Sequence, residues 1–179
     1  TIDVWMPGGT NIKSEKSHQF VIGINKLFSE FELGAEIYYK TIEDLLDYDD
    51  HANMLLNPYI EGEIRFGEAY SYGTEFSFQK QKGSFTFYSS YTWSRIFAKV
   101  GGINNNEFFP ERQDKPHNVN INFSYKTQGR WTISANWVYT SGMRFSSPTG
   151  FYYYNGYTVP IYTEKNNDKL PDYHRLDVS

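Results

Sequence analysis

Apolar and polar residues alternate along much of this chain with a period of two. From Tyr70 to Gln79 the even positions are Tyr70, Tyr72, Thr74, Phe76 and Phe78, and the odd ones Ser71, Gly73, Glu75, Ser77 and Gln79. That period marks a strand with two unlike faces. The scheme repeats at Phe85, Phe87, Ser89, Tyr91 and Trp93, at Val119, Ile121, Phe123 and Tyr125, and at Trp131, Ile133, Ala135, Trp137 and Tyr139. Two earlier strands are less regular. One is carried by Phe20, Ile22 and Ile24. The other has Phe31, Leu33, Ala35, Ile37 and Tyr39 opposite Glu32, Gly34, Glu36, Tyr38 and Lys40.

The connections alternate in length. Short turns fall at Phe28-Ser29-Glu30, Gln81-Lys82-Gly83 and Thr127-Gln128-Gly129, and long ones run from about Ile42 to Phe66, Ala98 to Pro116 and Gly142 to Lys169. Lys82-Gly83 and Gln128-Gly129 put glycine where a tight hairpin calls for positive φ. Within the first long connection, Thr41–Leu56 is open to a short helix. Leu170–Ser179 starts to alternate as the sequence stops, and Thr1-Ile2-Asp3-Val4 has neither the basic segment nor the apolar core of an export leader. The expectation is seven strands forming a segment of a longer polypeptide.

Composition narrows the class. The 179 residues include 14 Phe, 4 Trp and 16 Tyr, yet mean hydropathy is only −0.63. So many aromatics exclude disorder. No apolar run approaches the ~18 residues of a spanning helix. The absence of cysteine excludes a disulfide scaffold and thiolate metal sites. A net charge of −4 argues against nucleic acid as a partner.

The meaning of the alternation depends on which face is wet. In a soluble sandwich the apolar face turns inward, whereas in an outer-membrane barrel it meets lipid and the polar face lines the lumen. The polar faces here are small and mostly uncharged, aromatics crowd the strand ends beside the short turns, and every second connection is long. These features favour an all-β fold, an antiparallel transmembrane β-barrel segment. A soluble carbohydrate-binding β domain is the alternative. Tyr72, Phe76, Phe87, Trp93, Ile121, Phe123, Ile133 and Trp137 are expected to face lipid, with Ile133 near the midplane. Glu75, Ser77, Ser90, Asn122 and Asn136 are expected to face the lumen.

An ordered set of short pieces resembles the C-terminal half of the barrel of TonB-dependent receptors, in the family with a carboxypeptidase-regulatory-like N-terminal domain. The pieces are Glu15-x-Ser17, Gly23-Ile24, Glu36-Ile37-Tyr38-Tyr39-Lys40, Tyr72-Gly73-Thr74-Glu75, Lys82-Gly83 and Ser90-Tyr91-Thr92-Trp93-Ser94. Phe109-Pro110, Asp114-Lys115-Pro116-His117, Val138-Tyr139-Thr140-Ser141-Gly142 and Tyr173-His174-Arg175-Leu176-Asp177 follow. Where the family pattern would give Asp-Arg-Arg-His, this chain has Asp114-Lys115-Pro116-His117. The resemblance implies about seven strands of a roughly 22-stranded, plugged barrel, with residues 1–179 a partial barrel domain lacking plug and TonB-contacting segment. It implies energised nutrient uptake across the outer membrane of a Gram-negative bacterium. The implied partners are outer-membrane lipid, the rest of the barrel and plug, the TonB system through a segment not present here, and a surface lipoprotein. A passive porin, adhesin or assembly partner is the rival within the membrane class.

Candidate chemistry is sparse. Asp47-Tyr48-Asp49-Asp50-His51 forms an acidic cluster able to meet a cation or a cationic ligand, but without EF-hand spacing. Glu32, Glu36 and Glu75 on polar faces read as lumen charges answered by Arg or Lys of neighbouring strands or of a plug. Asp114, His117, His174, Arg175 and Asp177 lack the nucleophile elbow of a hydrolase. Asn104-Asn105-Asn106 reads as a turn. Phe151–Tyr157 reads first as a loop packed on itself, and second as a surface stacking on sugars or capping a ligand. The ligand-facing candidates are therefore Asp47, Asp49, Asp50, Tyr152, Tyr153 and Tyr154. No enzyme activity, cofactor or bound metal is expected.

Overall fold

A computed structural model describes residues 8, 9, 12–49, 52 and 56–179. Its strands are β1 (Lys16–Leu27), β2 (Phe31–Tyr48), β3 (Ile64–Lys80), β4 (Phe85–Val100), β5 (Phe109–Pro110), β6 (His117–Lys126), β7 (Thr132–Thr140), β8 (Arg144–Phe145), β9 (Gly150–Tyr154), β10 (Tyr157–Ile161), β11 (Asp168–Lys169) and β12 (Tyr173–Val178). The main sheet is an antiparallel meander in the order β1-β2-β3-β4-β6-β7-β12, with β5 added to β4. These are the seven strands the alternation predicts. The sheet is open, with β1 and β12 as its edges among the described residues.

Register makes the apolar face continuous. Directly opposed residues in an antiparallel pair point to the same side. One row reads Ile24, Ala35, Phe76, Tyr91, Val119, Tyr139, His174. The row below it reads Lys26, Leu33, Phe78, Ser89, Ile121, Trp137, Leu176. The opposite side carries Gly23, Glu36, Glu75 and Thr92, and then Ser77, Ser90, Asn120 and Val138. Large apolar side chains on the first face stand free of protein cover, among them Ile22 at 80% exposure. Such a face needs an apolar solvent.

Three expectations are corrected. Thr41–Tyr48 is strand rather than helix: its residues continue the ladder with β3 up to Tyr48↔Ile64. A bulge between Ile42 and Leu45, with Asp44 at φ 54°, restores the alternation that a helical reading explained differently. Residues 50, 51 and 53–55 lie outside the described residues. Gly83 takes φ 91°, but Gly129 is not at positive φ. The Thr127–Trp131 turn is instead closed by the Thr127 amide and hydroxyl, both donating to the Trp131 carbonyl at 3.0 Å. Ile133 is the second residue of β7, beside the turn rather than mid-strand.

Candidate ligand-facing vestibule

A spanning strand needs about 9–11 residues. β6 and β7 have 10 and 9, whereas β2, β3 and β4 have 18, 17 and 16. The tops of β2–β4 therefore rise beyond the other strands at the long-connection end. There the polar side of the sheet turns apolar. Ala69 pairs with Ile42 and with Ala98, and these residues pack with Leu45, Val100, Ile103 and Phe109 into a small buried core. Ile103 and Phe109 come from the connection after β4, so this connection folds back over the sheet.

β6 leaves β4 at Trp93↔His117, which strips β4 of a strand partner above that point. The returning chain supplies one. The Ser94 amide donates to Pro116 (3.1 Å), Glu111 donates to the Ile96 carbonyl (3.1 Å), and β5 pairs with Phe97 and Ala98. The Asp114 carboxylate accepts from the Ile96 amide at 3.0 Å, standing in for a backbone carbonyl. It is fully buried, and also accepts from Arg95 Nε at 3.1 and 3.3 Å, with Arg144 Nε at 3.8 Å. A carboxylate this deep needs such partners. Arg95 and Arg144 supply the guanidinium charge that the Asp114-Lys115-Pro116-His117 segment itself lacks.

The third connection locks onto the other two. Lys165 pairs through Nζ with Asp47, while its amide donates to Asn104 Oδ1 (2.7 Å) and its carbonyl accepts from Asn104 Nδ2 (3.1 Å). Asn166, buried, donates from its side-chain Nδ2 to the Pro110 carbonyl (3.0 Å) and from its backbone amide to Ser146 Oγ (3.1 Å). Between these elements lies a cavity of about 760 Å³ with an apolar floor of Ile42, Leu45, Ala69, Ile96 and Phe145. Asp47, Glu111, Arg112, Gln113, Lys165 and Asn166 form its polar wall. Burial pushes the Glu111 carboxyl above its ordinary range; the Arg112 amide opposes this, Asp47 adds to it and Lys165 opposes it. Volume, apolar floor and a few converging polar groups are what a small-ligand pocket requires.

The sequence-derived candidates divide between places. Asp47 lines the cavity. Asp49 pairs with Arg65, and its amide donates to Glu63 at 2.8 Å. Asp50 lies outside the described residues. Tyr152, Tyr153 and Tyr154 sit on β9 in a hairpin with β10, turning at Asn155 (φ 48°) and Gly156 (φ 84°). They are 50%, 81% and 64% exposed, on a segment that folds back on itself through the β9–β10 ladder. Among the described residues no three His, Asp or Glu side chains converge as metal ligands. Glu36 and Glu75 oppose one another directly, and neither forms an ion pair within the described residues. His117 Nδ1 lies 2.9 Å from the Tyr91 hydroxyl and Arg175 pairs with Asp177 at 2.8 Å, so the hydrolytic set is not assembled.

Sequence reading missed Lys165, Asn104, Asn166 and Glu111. Asn104, Asn105 and Asn106 all take positive φ (46°, 56° and 61°), a conformation asparagine tolerates. The triplet was therefore legible as a turn. Its contact with Lys165, across a separation of 61 residues, left no local signal.

Two aromatic belts complete the picture. Beside the short turns, Phe28, Phe31, Phe78, Phe87, Phe85 and Phe123 form a chain of ring contacts at 4.5–6.2 Å. Toward the other end, Tyr72 meets Trp93 and Tyr70, and Tyr70 meets Phe97 and Phe108, at 5.0–6.2 Å. An apolar band between two aromatic girdles, with a polar inner side and connections that alternate in length, defines an outer-membrane β-barrel wall. The family model for the TonB dependent receptor-like β-barrel matches residues 2–179, and the chain belongs to that family. The family is one of outer-membrane receptors and transporters rather than enzymes. No curated protein matches the chain.

Proposed function

We propose that this wall forms part of a transporter that takes up a nutrient across a Gram-negative outer membrane, energised through TonB by a segment outside these residues. The observation that supports this reading is the vestibule: three long connections converge at one end of the wall over an inner-side cavity of about 760 Å³. The short turns then face the periplasm and the long connections the exterior, where ligand is met. Asp47, Glu111, Arg112 and Lys165 would meet it first on the wall, and Tyr152–Tyr154 above it. The unanswered Glu36–Glu75 pair fits a basic group of the plug. A passive pore or adhesin would use the same wall without energy input.

The test is made in the full-length receptor on intact cells. Single cysteines at Asn105, Tyr154 and Gln128 all fall at exposed positions, so labelling by an impermeant thiol reagent reports sidedness rather than burial. Asn105 and Tyr154 should react and Gln128 should not. Deleting residues 151–157 should reduce ligand uptake while the barrel still assembles. Uptake that persists after the proton gradient is collapsed would favour the passive pore.

A further inference from the structure

The lipid-facing side carries a groove of about 530 Å³ lined by Leu33, Ala35, Phe76, Phe78 and Ile121, with Lys26 at its edge. Two small residues create it. Ala35 lies between Ile24 and Phe76, and Ser89 between Phe78 and Ile121, so each leaves a depression among large neighbours. The groove belongs to the half of the wall beside the short turns, since Lys26 is the penultimate residue of β1 and its register partner is Leu33.

Lys26 is the unusual member. It points to the apolar side, yet among the described residues its ammonium meets only the Phe28 ring, at 5.2 Å from the centroid. Lys80 near the same turns is by contrast paired with Glu30 at 3.1 Å. A lysine on a lipid-facing surface costs little near the interface, because its stem lies along apolar surface while its head reaches the headgroup layer. The anion available in that layer is phosphate.

We propose that this groove is a binding site for a glycerophospholipid of the periplasmic leaflet. One acyl chain would lie in the trough at Ala35 and Ser89, and the phosphate would sit against Lys26. The lipid would be retained as a defined ligand rather than as bulk solvent. The site is independent of what the receptor transports and of how transport is energised.

Native mass spectrometry of the full-length receptor, extracted in mild detergent, tests this. The receptor should retain one phospholipid. The variant Ala35→Leu/Ser89→Leu, which fills the trough with residues suited to lipid contact, should lose it while the barrel stays heat-resistant. Lys26→Gln leaves the trough intact and should retain less lipid than the parent. Should the filled variant fail to assemble, a phospholipid with a photoreactive acyl chain decides the matter. Its label should concentrate on peptides containing residues 33–35 and 76–91, and free inorganic phosphate should not compete. Equal retention by all three proteins, label spread evenly over the apolar face, or retention of lipopolysaccharide alone would overturn the proposal. So would a carboxylate from the strand flanking β1 found paired with Lys26.

Discussion

Two carboxylates hold the vestibule's architecture at the scale of single residues. Asp114 replaces a backbone acceptor at the Ile96 amide and neutralises Arg95 at once. Breaking a buried pair by removing one partner costs roughly 3–5 kcal/mol. Asp114→Ala should therefore detach residues 109–116 from β4, read as loss of hydrogen-exchange protection at Ile96 with little change at Ile121. Asp172 secures the base of the third connection. It accepts from the Gly142 amide (3.0 Å) and the Tyr139 hydroxyl (2.6 Å), and pairs with Lys169 (2.7 Å). The Lys169 ammonium first, then the Tyr139 hydroxyl and the Gly142 amide, hold its carboxyl well below the usual carboxylate range. A depressed carboxyl contributes stability that is present above the unfolded value, ~3.9, and is lost only as pH falls through the folded one. Exchange at Gly142 should thus stay slow at about pH 4, where unperturbed aspartates protonate. Asp172→Asn should quicken it and remove that acid dependence. Gly142 itself admits no substitute, because a Cβ there would overlap the Leu170 carbonyl.

Strands obey a simpler rule. Ile121 is the fifth of ten residues in β6 and faces lipid, whereas its neighbour Asn122 faces inward. Ile121→Arg should cost ~2–4 kcal/mol of barrel stability in lipid bilayers. Asn122→Arg should cost distinctly less, and Ile133→Arg, beside the turn, about 0–1 kcal/mol. Equal losses at Ile121 and Asn122 in urea titrations would reverse the assignment of faces. The faces were legible in the sequence because a period of two survives any length of strand. The upper halves of β2–β4 were not. Thr41–Tyr48 carries Glu43, Asp44 and Asp47 among its apolar residues, and only pairing with β1 and with Ile64–Tyr70 of β3, across a bulge, makes it a ladder. The fold-back of Ile103 and Phe109 was hidden for the same reason: contact between distant segments is a property of the assembled wall. Of the candidate site, Asp47 was legible through its acidic neighbourhood. Lys165 was not, being an ordinary lysine until Asn104 and Asp47 are brought to it.

For the whole molecule, the open edges dominate. Hydrocarbon offers no water to satisfy unpaired amides and carbonyls, so a sheet in a bilayer must close. β1 and β12 should pair with strands outside this segment. Residues 1–179 alone should then fail to form a heat-resistant barrel in vesicles, whereas co-assembly with the rest of the receptor should yield one. Direct pairing of β1 with β12 in a small closed barrel would refute this.

The unequal strand lengths also shape the mouth of the barrel. β2 outruns β7 by nine residues, which at ~3.3 Å each is about 30 Å of extra ladder. The rim is therefore a parapet, tall and stiff above β2–β4 and low above β6, β7 and β12. On the low side the rim is the third connection, tied to its neighbours by single contacts of Asp172, Lys165, Asn166 and the Arg144 amide rather than by a continuous ladder. In the transporter proposed above, an arriving solute would meet a continuous ladder on one side of the mouth and a tethered connection on the other.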